Sequence, residues 1–428
     1  MNDFEAMNYF KDAALVADPY PYLDALRGKC PVLREPHHDV VMVTGYDEAS
    51  EVLHDSEHFS SCTSVTGPFP GFPVPLEGDD ISELIALHRH ELPMSDQLPT
   101  FDPPTHTDHR ALLMRLITPK RLKENEASMW GLADRMLDSF LAGGEGEFIS
   151  GYAGPFSLLV IADLLGVPEE DQQEFSEGLQ HRPHDRAGVG GTQEELAHSP
   201  LGYLYDRFSA YVEDRRREPR EDVITGLATA AFPDGSIPEV GDAARVAVNL
   251  FAAGQETTVR LLGAALKVLA EQPEIQAQLR GDRTLIPNFI EEALRVESPI
   301  KGDFRLSRVP VSVGGVDLPA GTTVMVLNSA ANRDPRQFAD PATFDPTRAN
   351  ARRHMAFGRG IHTCPGAPLA RAEAVVSIQR LLDRTSDIRI SERAHGPEGA
   401  RRYQYVPTYI LRGLTELNLE FTPVEGSA

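Results

Sequence analysis

The stretch from residue 240 to residue 269 restricts the possible folds of this chain more than any other. Apolar side chains recur there at helical spacing over its whole length, which predicts one long helix. A helix of about 30 residues spans roughly the width of a whole domain. Because apolar side chains lie on nearly every face of this helix, we expect it to be buried.

Strand patterns are shorter and flank the helical middle of the chain. β-branched or alternating side chains occur at residues 39–45, 311–318, 322–328 and 409–421. Between them, residues 156–175 predict a helix, a stop at Gly-Val-Pro and the start of a second helix. This order predicts an α+β fold that is predominantly helical, with small sheets near the N-terminus and in the last third.

Two long irregular stretches join the predicted elements. Residues 59–104 are rich in Ser, Pro and Gly, and residues 181–200 connect two helical segments. Long loops in a compact domain are usually functional lids or disordered. We favour lids, and we expect residues 59–104 to cover a ligand pocket.

Charge and cysteine usage argue against several classes of protein. The 41 Lys and Arg against 64 Asp and Glu give a net charge of −23, which disfavours binding to nucleic acid or to anionic membranes. The chain has no apolar run of about 18 residues and no signal-peptide pattern. Its three cysteines, Cys30, Cys62 and Cys364, are too scattered for a disulfide framework or a CxxC metal site. We therefore expect a cytoplasmic protein.

One cysteine lies in a loop that ordinary packing does not explain. The sequence FGRGIHTCPG, residues 357–366, places three glycines and a proline around Cys364. Glycines let the backbone approach something large and flat, and the helix predicted directly after the loop favours a thiolate at its N-terminus. A lone cysteine is by default a small buried apolar residue, which fits Cys30 and Cys62 but leaves the glycines unexplained.

The loop resembles the heme-binding sequence FGxGxHxCxG of the cytochrome P450 superfamily. Other segments resemble that family in the same order, namely DPPTHTDHR (102–110), AAGQETT (252–258), EEALRVESP (291–299) and the segment 330–348. The resemblance implies one domain over residues 1–428, with the long helix lying over the heme. The ExxR pair, Glu292 and Arg295, is then a buried structural ion pair.

The resemblance also implies a heme site. The cofactor is heme b, an iron protoporphyrin IX, and Cys364 is its axial ligand as a thiolate, which favours O–O cleavage. The heme propionates need cationic partners, and by resemblance these are His106, Arg110, Arg305 and His362. The alternative is that each is an ordinary surface charge.

Glu256 and Thr257 lie inside the long apolar helix, where a carboxylate is costly without a role or a partner. A threonine hydroxyl can bond the carbonyl four residues back and bend the helix. In the family this acid–alcohol pair delivers protons for O–O cleavage, so both residues are predicted to be catalytic. The alternative is a solvated polar patch.

These inferences together predict a heme-thiolate monooxygenase that inserts one atom of dioxygen into a largely apolar small organic molecule. The sequence leaves the substrate and the type of oxygenation open. Two alternatives remain, a peroxygenase or phenol-coupling oxidase and a non-catalytic heme protein that binds a ligand. The residues predicted to line the pocket are Phe251, Ala252, Ile300, Ile410 and Leu411.

The predicted electron donor is a separate ferredoxin with its own ferredoxin reductase. Residues 346–372 contain no acid and form a basic region that suits an acidic donor. Its arginines are Arg348, Arg352, Arg353, Arg359 and Arg371. Pro365 departs from the family pattern, because a proline after the ligand has no N–H to donate to the sulfur. We expect this to make the thiolate a stronger donor.

Overall fold

The computed structural model describes residue 4, residues 6–180 and residues 200–424. Within these residues helices predominate, and small sheets lie near the N-terminus and in the last third, as the sequence predicts. The predicted lid at 181–200 lies, except for its last residue, outside the described residues. The α-helices are α1 (Ala14–Ala17), α2 (Tyr20–Lys29), α3 (Tyr46–His54), α4 (Ser82–His88), α5 (Thr105–Leu116), α6 (Pro119–Leu141), α7 (Gly154–Leu165), α8 (Glu169–Gln180), α9 (Pro200–Arg217), α10 (Val223–Ala228), α11 (Val240–Glu271), α12 (Pro273–Gly281), α13 (Ile286–Val296), α14 (Asn328–Ala331), α15 (Ala367–Arg384) and α16 (Glu392–His395).

The strands of the described residues form three small sheets. The largest has the order β1-β2-β8-β5-β3, with β2 and β8 parallel and the other neighbours antiparallel. A second sheet has the order β4-β10-β9, and β6 and β7 form a hairpin. The strands are β1 (Val32–Arg34), β2 (Val41–Val43), β3 (Phe59–Ser60), β4 (Glu145–Glu147), β5 (Asp303–Ser307), β6 (Val311–Val313), β7 (Val316–Leu318), β8 (Thr323–Val326), β9 (Thr385–Ile390) and β10 (Asn418–Pro423).

The long helix α11 forms the axis of the molecule. It runs for 32 residues and packs against α5, α7, α9 and α15, so its predicted burial is confirmed over most of its length. The exception is the stretch 252–257, whose residues are half-buried or, at Ala253, exposed. At this open stretch, in the middle of an otherwise buried helix, α11 is not closely covered by other elements.

The predicted helix stop after α7 is confirmed. Gly166 adopts a left-handed conformation with φ 71°, and its N–H donates to carbonyls in the last turn of α7. A side chain is disfavoured at such a φ, which explains why glycine ends this helix.

Two predictions on irregular segments are corrected. Of the strand predicted at 409–421, only its last four residues belong to β10, because residues 409–417 make isolated bridges and turns. The Leu411 N–H donates to Thr408 Oγ1 at 2.8 Å, and the resulting turn prevents an extended chain. Residues 59–104 are not wholly irregular, since they include β3 and α4.

Candidate active site at the cysteine loop

The loop before α15 owes its shape to its glycines. The Cys364 N–H donates to Phe357 O at 2.8 Å, which closes the loop on itself. Gly358 and Gly360 have φ angles of +65° and +68°, where a side chain would be strained. A Cβ at Gly360 would also lie 2.1 Å from Leu53 O, so glycine alone lets the loop pack against α3.

The sulfur of Cys364 lies in front of the first turn of α15. The backbone N–H groups of Gly366 and Ala367 donate to it, and the charge of Arg110 also favours the thiolate. Burial acts in the opposite direction and is the larger effect, so the pKa of the Cys364 thiol is raised. Pro365 removes one possible donor, but the two following amides still reach the sulfur. Burial disfavours the negative charge of a thiolate, and a cation bound to the sulfur would compensate for that charge.

Four basic side chains from distant segments meet beside this sulfur. The rings of His106 and His362 have centroids 4.2 Å apart, and the Arg110 guanidinium donates to Thr363 O. Burial and the nearby charges of Arg305, His106 and Arg110 lower the pKa of His362 to about 2. The four predicted basic residues therefore form one cluster with surplus positive charge, which suits a ligand that carries carboxylates.

The cluster contains a buried polar atom that has no partner within the described part of the chain. This atom is His106 Nε2, in a side chain that is 3% exposed. The Arg305 guanidinium, by contrast, donates to Asp303 Oδ1 and to Phe304 O, each at 2.6 Å. An unpaired buried nitrogen beside surplus positive charge indicates that a hydrogen-bonding group belongs there.

Asp102 fixes the start of α5 relative to the largest sheet. Its carboxylate accepts from Ser60 Oγ at 2.5 Å and from Ser61 N at 2.8 Å, and it pairs with Arg308 at 2.6 Å. Ser61 Oγ lies 3.0 Å from His362 Nε2 and so links this anchor to the basic cluster. Sequence reasoning missed Ser61, because no local pattern marks a loop serine as a partner of a residue 301 positions away.

The predicted hydrogen bond within α11 is confirmed. Thr257 Oγ1 donates to Ala253 O at 2.7 Å, one turn back. Nearby, a Cβ at Gly254 would lie 3.3 Å from Ile161 Cδ1, so glycine permits the close approach of α7. The Thr257 hydroxyl thus lies within the open stretch of the helix, with its oxygen free to accept a further hydrogen bond.

Glu256 forms an ion pair with Arg260, one turn further along α11. The Glu256 side chain is 40% exposed and the Arg260 side chain 7%. The carboxylate therefore faces the open stretch of the helix while the guanidinium lies inside the protein. Sequence reasoning named Glu256 but missed Arg260, although a base four residues after an acid in an apolar helix is a detectable signal.

The predicted pocket residues on α11 occupy different environments. Phe251 is fully buried and packs against the rings of Phe175 and Phe208, with centroids 5.4 and 6.0 Å away. This placement favours a packing role for Phe251 over contact with a substrate. Ala252 is half-buried at the start of the open stretch.

Two of the three predicted pocket residues outside α11 come together. Ile300 and Leu411 are paired by an isolated antiparallel bridge, so their side chains leave the backbone on the same side. Ile410 leaves on the opposite side and packs with the cluster that contains Tyr9 and Tyr22. Ile300 and Leu411 are therefore the better candidates for one wall of a pocket.

The ExxR pair is buried, as predicted. Both carboxylate oxygens of Glu292 accept from Arg295, each at 2.7 Å, and both side chains are 0% exposed. Arg348 adds a third hydrogen bond to Glu292 at 2.9 Å. A bidentate pair with such support fixes the geometry between α13 and the segment that leads to the cysteine loop.

Comparison with known proteins identifies the class. A family profile described as Cytochrome P450 matches residues 238–386. The substrate-free structure of Mycobacterium marinum cytochrome P450 CYP150A6 is 55% identical, covers 99% of this chain and 100% of that chain, and superposes with a TM-score of 0.93. Cytochrome P450 monooxygenase PikC of Streptomyces venezuelae is 33% identical over 95% of this chain and 91% of its own length. The chain therefore belongs to the cytochrome P450 family.

A third relative extends the comparison to a liganded structure. CYP109E1 of Bacillus megaterium in complex with testosterone is 28% identical, with a TM-score of 0.78 over 94% of this chain and 99% of that chain. Together with the named monooxygenase, these relatives make the chain a cytochrome P450 monooxygenase. No helix in the described parts of the chain combines the length and hydropathy needed to cross a membrane.

Family membership implies a heme with an axial thiolate, and the residues present fit that group. The orphaned His106 Nε2 and the surplus positive charge around His362 suit the propionates. The half-buried Cys364, whose sulfur accepts from two backbone amides, suits an anionic iron ligand.

Proposed function

We propose that this chain inserts one atom of dioxygen into a largely apolar small organic molecule, using electrons from a separate ferredoxin and its reductase. The observation that carries the proposal is the hydrogen-bonded Thr257 beside Glu256 in the open stretch of α11. Bound heme supplies the iron that activates dioxygen. The roles of the surrounding side chains follow from their positions.

Cys364 would hold the heme iron through its sulfur, which accepts hydrogen bonds from the N–H groups of Gly366 and Ala367. These hydrogen bonds stabilise negative charge on the sulfur.

The basic cluster would hold the two carboxylates of the heme. Arg110 and Arg305 supply permanent charge, and His106 and His362 supply ring nitrogens. His106 Nε2 has no partner in the described residues, so a propionate oxygen there would satisfy it.

Glu256 and Thr257 deliver protons to dioxygen. Thr257 donates its own proton to Ala253 O, which leaves its oxygen able to hold a water molecule in place. The half-exposed Glu256 carboxylate then takes up a proton from water and passes it on.

The substrate lies against an apolar wall formed by Ala252, Ile300 and Leu411. Apolar walls exclude water, so protons arrive through the acid–alcohol pair instead of bulk solvent. CYP109E1 was solved with testosterone. That steroid is therefore a reasonable first probe for this pocket.

The ferredoxin docks on a smaller basic surface than the sequence suggests. Arg348 and Arg371 pair with Glu292 and Glu291. Arg352 is 73% exposed although it lies 3.4 Å from Glu291, and Arg353 is exposed as well, so this face suits an acidic donor through electrostatic steering.

A carbon monoxide difference spectrum of the reduced, heme-loaded protein tests the ligand. We expect the peak characteristic of sulfur ligation, and we expect Cys364→Ser to lose it. Retention of the peak in Cys364→Ser would refute the assignment. Product analysis with isotopically labelled dioxygen, after a Soret-shift screen that begins with testosterone, then tests the reaction.

The monooxygenase proposal requires one labelled oxygen atom in the product and a dependence on the electron donor. Turnover with peroxide alone would identify a peroxygenase, and an unlabelled dimeric phenol would identify a coupling oxidase. Binding without oxygen consumption would identify a ligand-binding protein.

A further inference from the structure

The guanidinium of Arg260 is buried where a free charge is costly. Its side chain is 7% exposed, and its Nε has no hydrogen-bond partner in the described residues. Among those residues, Glu256 is the carboxylate that pairs with it. Glu297 borders the same small cavity but pairs with Arg412 instead. The charge of Arg260 therefore depends on Glu256 for its neutralisation.

Arg260 depends on the contact more than Glu256 does, because the two side chains differ in burial. Glu256 is 40% exposed and has room to change its side-chain conformation, whereas the 7% exposed Arg260 is confined by its surroundings. The buried partner thus sets the position of the pair. In an exposed pair, both side chains would move and the contact would contribute little to stability.

Gly413 confines Arg260 from the side opposite to the helix. A Cβ at position 413 would lie 2.5 Å from Arg260 Cγ and 2.9 Å from Arg260 Nη1. Such distances are impossible without displacement, so the path of the arginine requires glycine there. Gly413 lies two residues after Leu411, which pairs with Ile300. The same short segment therefore touches both the proposed pocket wall and the arginine.

We propose that Arg260 is a positioning residue for proton delivery, and that Gly413 forms the seat that holds it against Glu256. The proposal rests on the proposed catalytic role of Glu256. Arg260 holds one carboxylate oxygen of Glu256, which leaves the other free to exchange protons at the open stretch of α11. Without that contact, the carboxylate is free to leave its position on the helix.

A displaced Glu256 carboxylate has a measurable effect, because it changes the product into which dioxygen is reduced. In the coupled reaction, R–H, dioxygen, two electrons and two protons give R–OH and water. When protons arrive at the wrong place, dioxygen, two electrons and two protons give hydrogen peroxide and leave R–H unchanged. The ferredoxin supplies the electrons in both cases, so the ratio of product to peroxide reports on proton delivery.

The test uses the heme-loaded protein with a ferredoxin and ferredoxin reductase, and testosterone as the probe. If testosterone does not shift the Soret band, the probe is the compound that shifts it most in the screen described above. We expect Arg260→Ala to lower product formed per electron pair by roughly tenfold to a hundredfold, because small misplacements of catalytic groups have effects of this size. Peroxide should rise in proportion while KM stays unchanged. Arg260→Lys, which keeps the charge, should restore part of the coupling.

Gly413→Ala tests the seat without altering either charged group. Like Arg260→Ala, it should lower the product formed per electron pair. The double variant Arg260→Ala/Gly413→Ala should form no less product per electron pair than Arg260→Ala alone. Lys267→Ala is the matched control, because Lys267 pairs with Glu271 at 2.7 Å and at the same spacing on the same helix. We expect its coupling to equal that of the parent.

Thermal unfolding provides a readout independent of turnover. The melting temperatures of Glu256→Gln, Arg260→Ala and the double variant should be non-additive, because either change already removes the contact. Additive shifts would overturn the proposal. If Arg260→Ala fails to load heme, the product formed per electron pair by Arg260→Lys and Gly413→Ala tests the proposal instead.

Two failures can be told apart. If Glu256→Gln keeps the coupling of the parent, the proton relay itself is refuted, and the role of Arg260 with it. If Glu256→Gln uncouples the reaction but Arg260→Ala and Gly413→Ala do not, the relay stands and the positioning role is overturned.

Discussion

Substitution of Glu292 by Gln should destabilise the protein far more than a change of one atom suggests. The carboxylate of Glu292 accepts from Arg295 Nε and Nη2 at 2.7 Å and from Arg348 Nε at 2.9 Å. Arg295 is 0% exposed and Arg348 9%. An amide keeps the shape but removes the negative charge, so two buried guanidinium groups lose their counter-ion. Removal of one partner from a buried ion pair costs about 3–5 kcal/mol.

The expected fall in melting temperature follows from the length of the chain. An unfolding entropy of about 2.1 cal/mol/K per residue gives about 0.9 kcal/mol/K for 428 residues. Glu292→Gln should therefore lower Tm by about 3–6 °C. Thermal unfolding of the heme-loaded protein, followed by circular dichroism, measures the shift.

Glu124→Gln is the matched control for this measurement. Glu124 pairs with Lys120 at 3.8 Å on the surface, where the two side chains are 53% and 85% exposed. Exposed pairs contribute ~0.2–1 kcal/mol, so the control should shift Tm by no more than about 1 °C. If Glu292→Gln melts within the same range as the control, the argument from burial is wrong.

Three further predictions concern single positions. Pro365→Leu adds an N–H beside a sulfur that already accepts from Gly366 and Ala367, so a spectroelectrochemical titration should show a more positive heme potential; an unchanged potential contradicts this. Burial lowers the pKa of Lys301 from 10.5 to about 7. Between these pH values the unfolded state binds more protons than the folded state, so stability rises with pH, by up to about 1.4 kcal/mol per pH unit. Lys301→Met should flatten that rise in Tm between pH 7 and 9, and an identical slope would refute it. Arg352→Glu should raise KM for the ferredoxin and leave kcat unchanged, whereas equal kinetics at low salt would exclude docking there.

The elements that the sequence predicts well are those whose signal is local. The helix expected at 240–269 is found at Val240–Glu271, because its apolar periodicity extends over many turns. By contrast, β5 (Asp303–Ser307) alternates polar and apolar residues over only five positions, and the sequence analysis did not identify it. A pattern this short is weak by itself, and the segment is a strand because it pairs with β8 and β3.

The residues of the candidate site also divide into those with a local sequence signal and those without one. The loop around Cys364 is identifiable from its glycines, but the contact between His106 and His362 joins residues far apart in the chain. Their grouping came from a family resemblance, and spacing alone would not have produced it. Arg260 was detectable, because its spacing from Glu256 is a helical ion-pair spacing, yet its importance depends on burial that only the fold reveals.

Two acid–base pairs on helices near the site have nearly the same spacing and, by their surroundings, opposite roles. Glu292 and Arg295 are both fully buried and fully hydrogen-bonded, so neither carboxylate oxygen is free to exchange a proton. Glu256 is half-exposed and shares one oxygen with a buried arginine, which leaves the second oxygen available. A carboxylate that must move protons needs an accessible oxygen and a fixed position at once. An ion pair with one buried and one accessible partner meets both requirements, and a fully buried pair meets only the second.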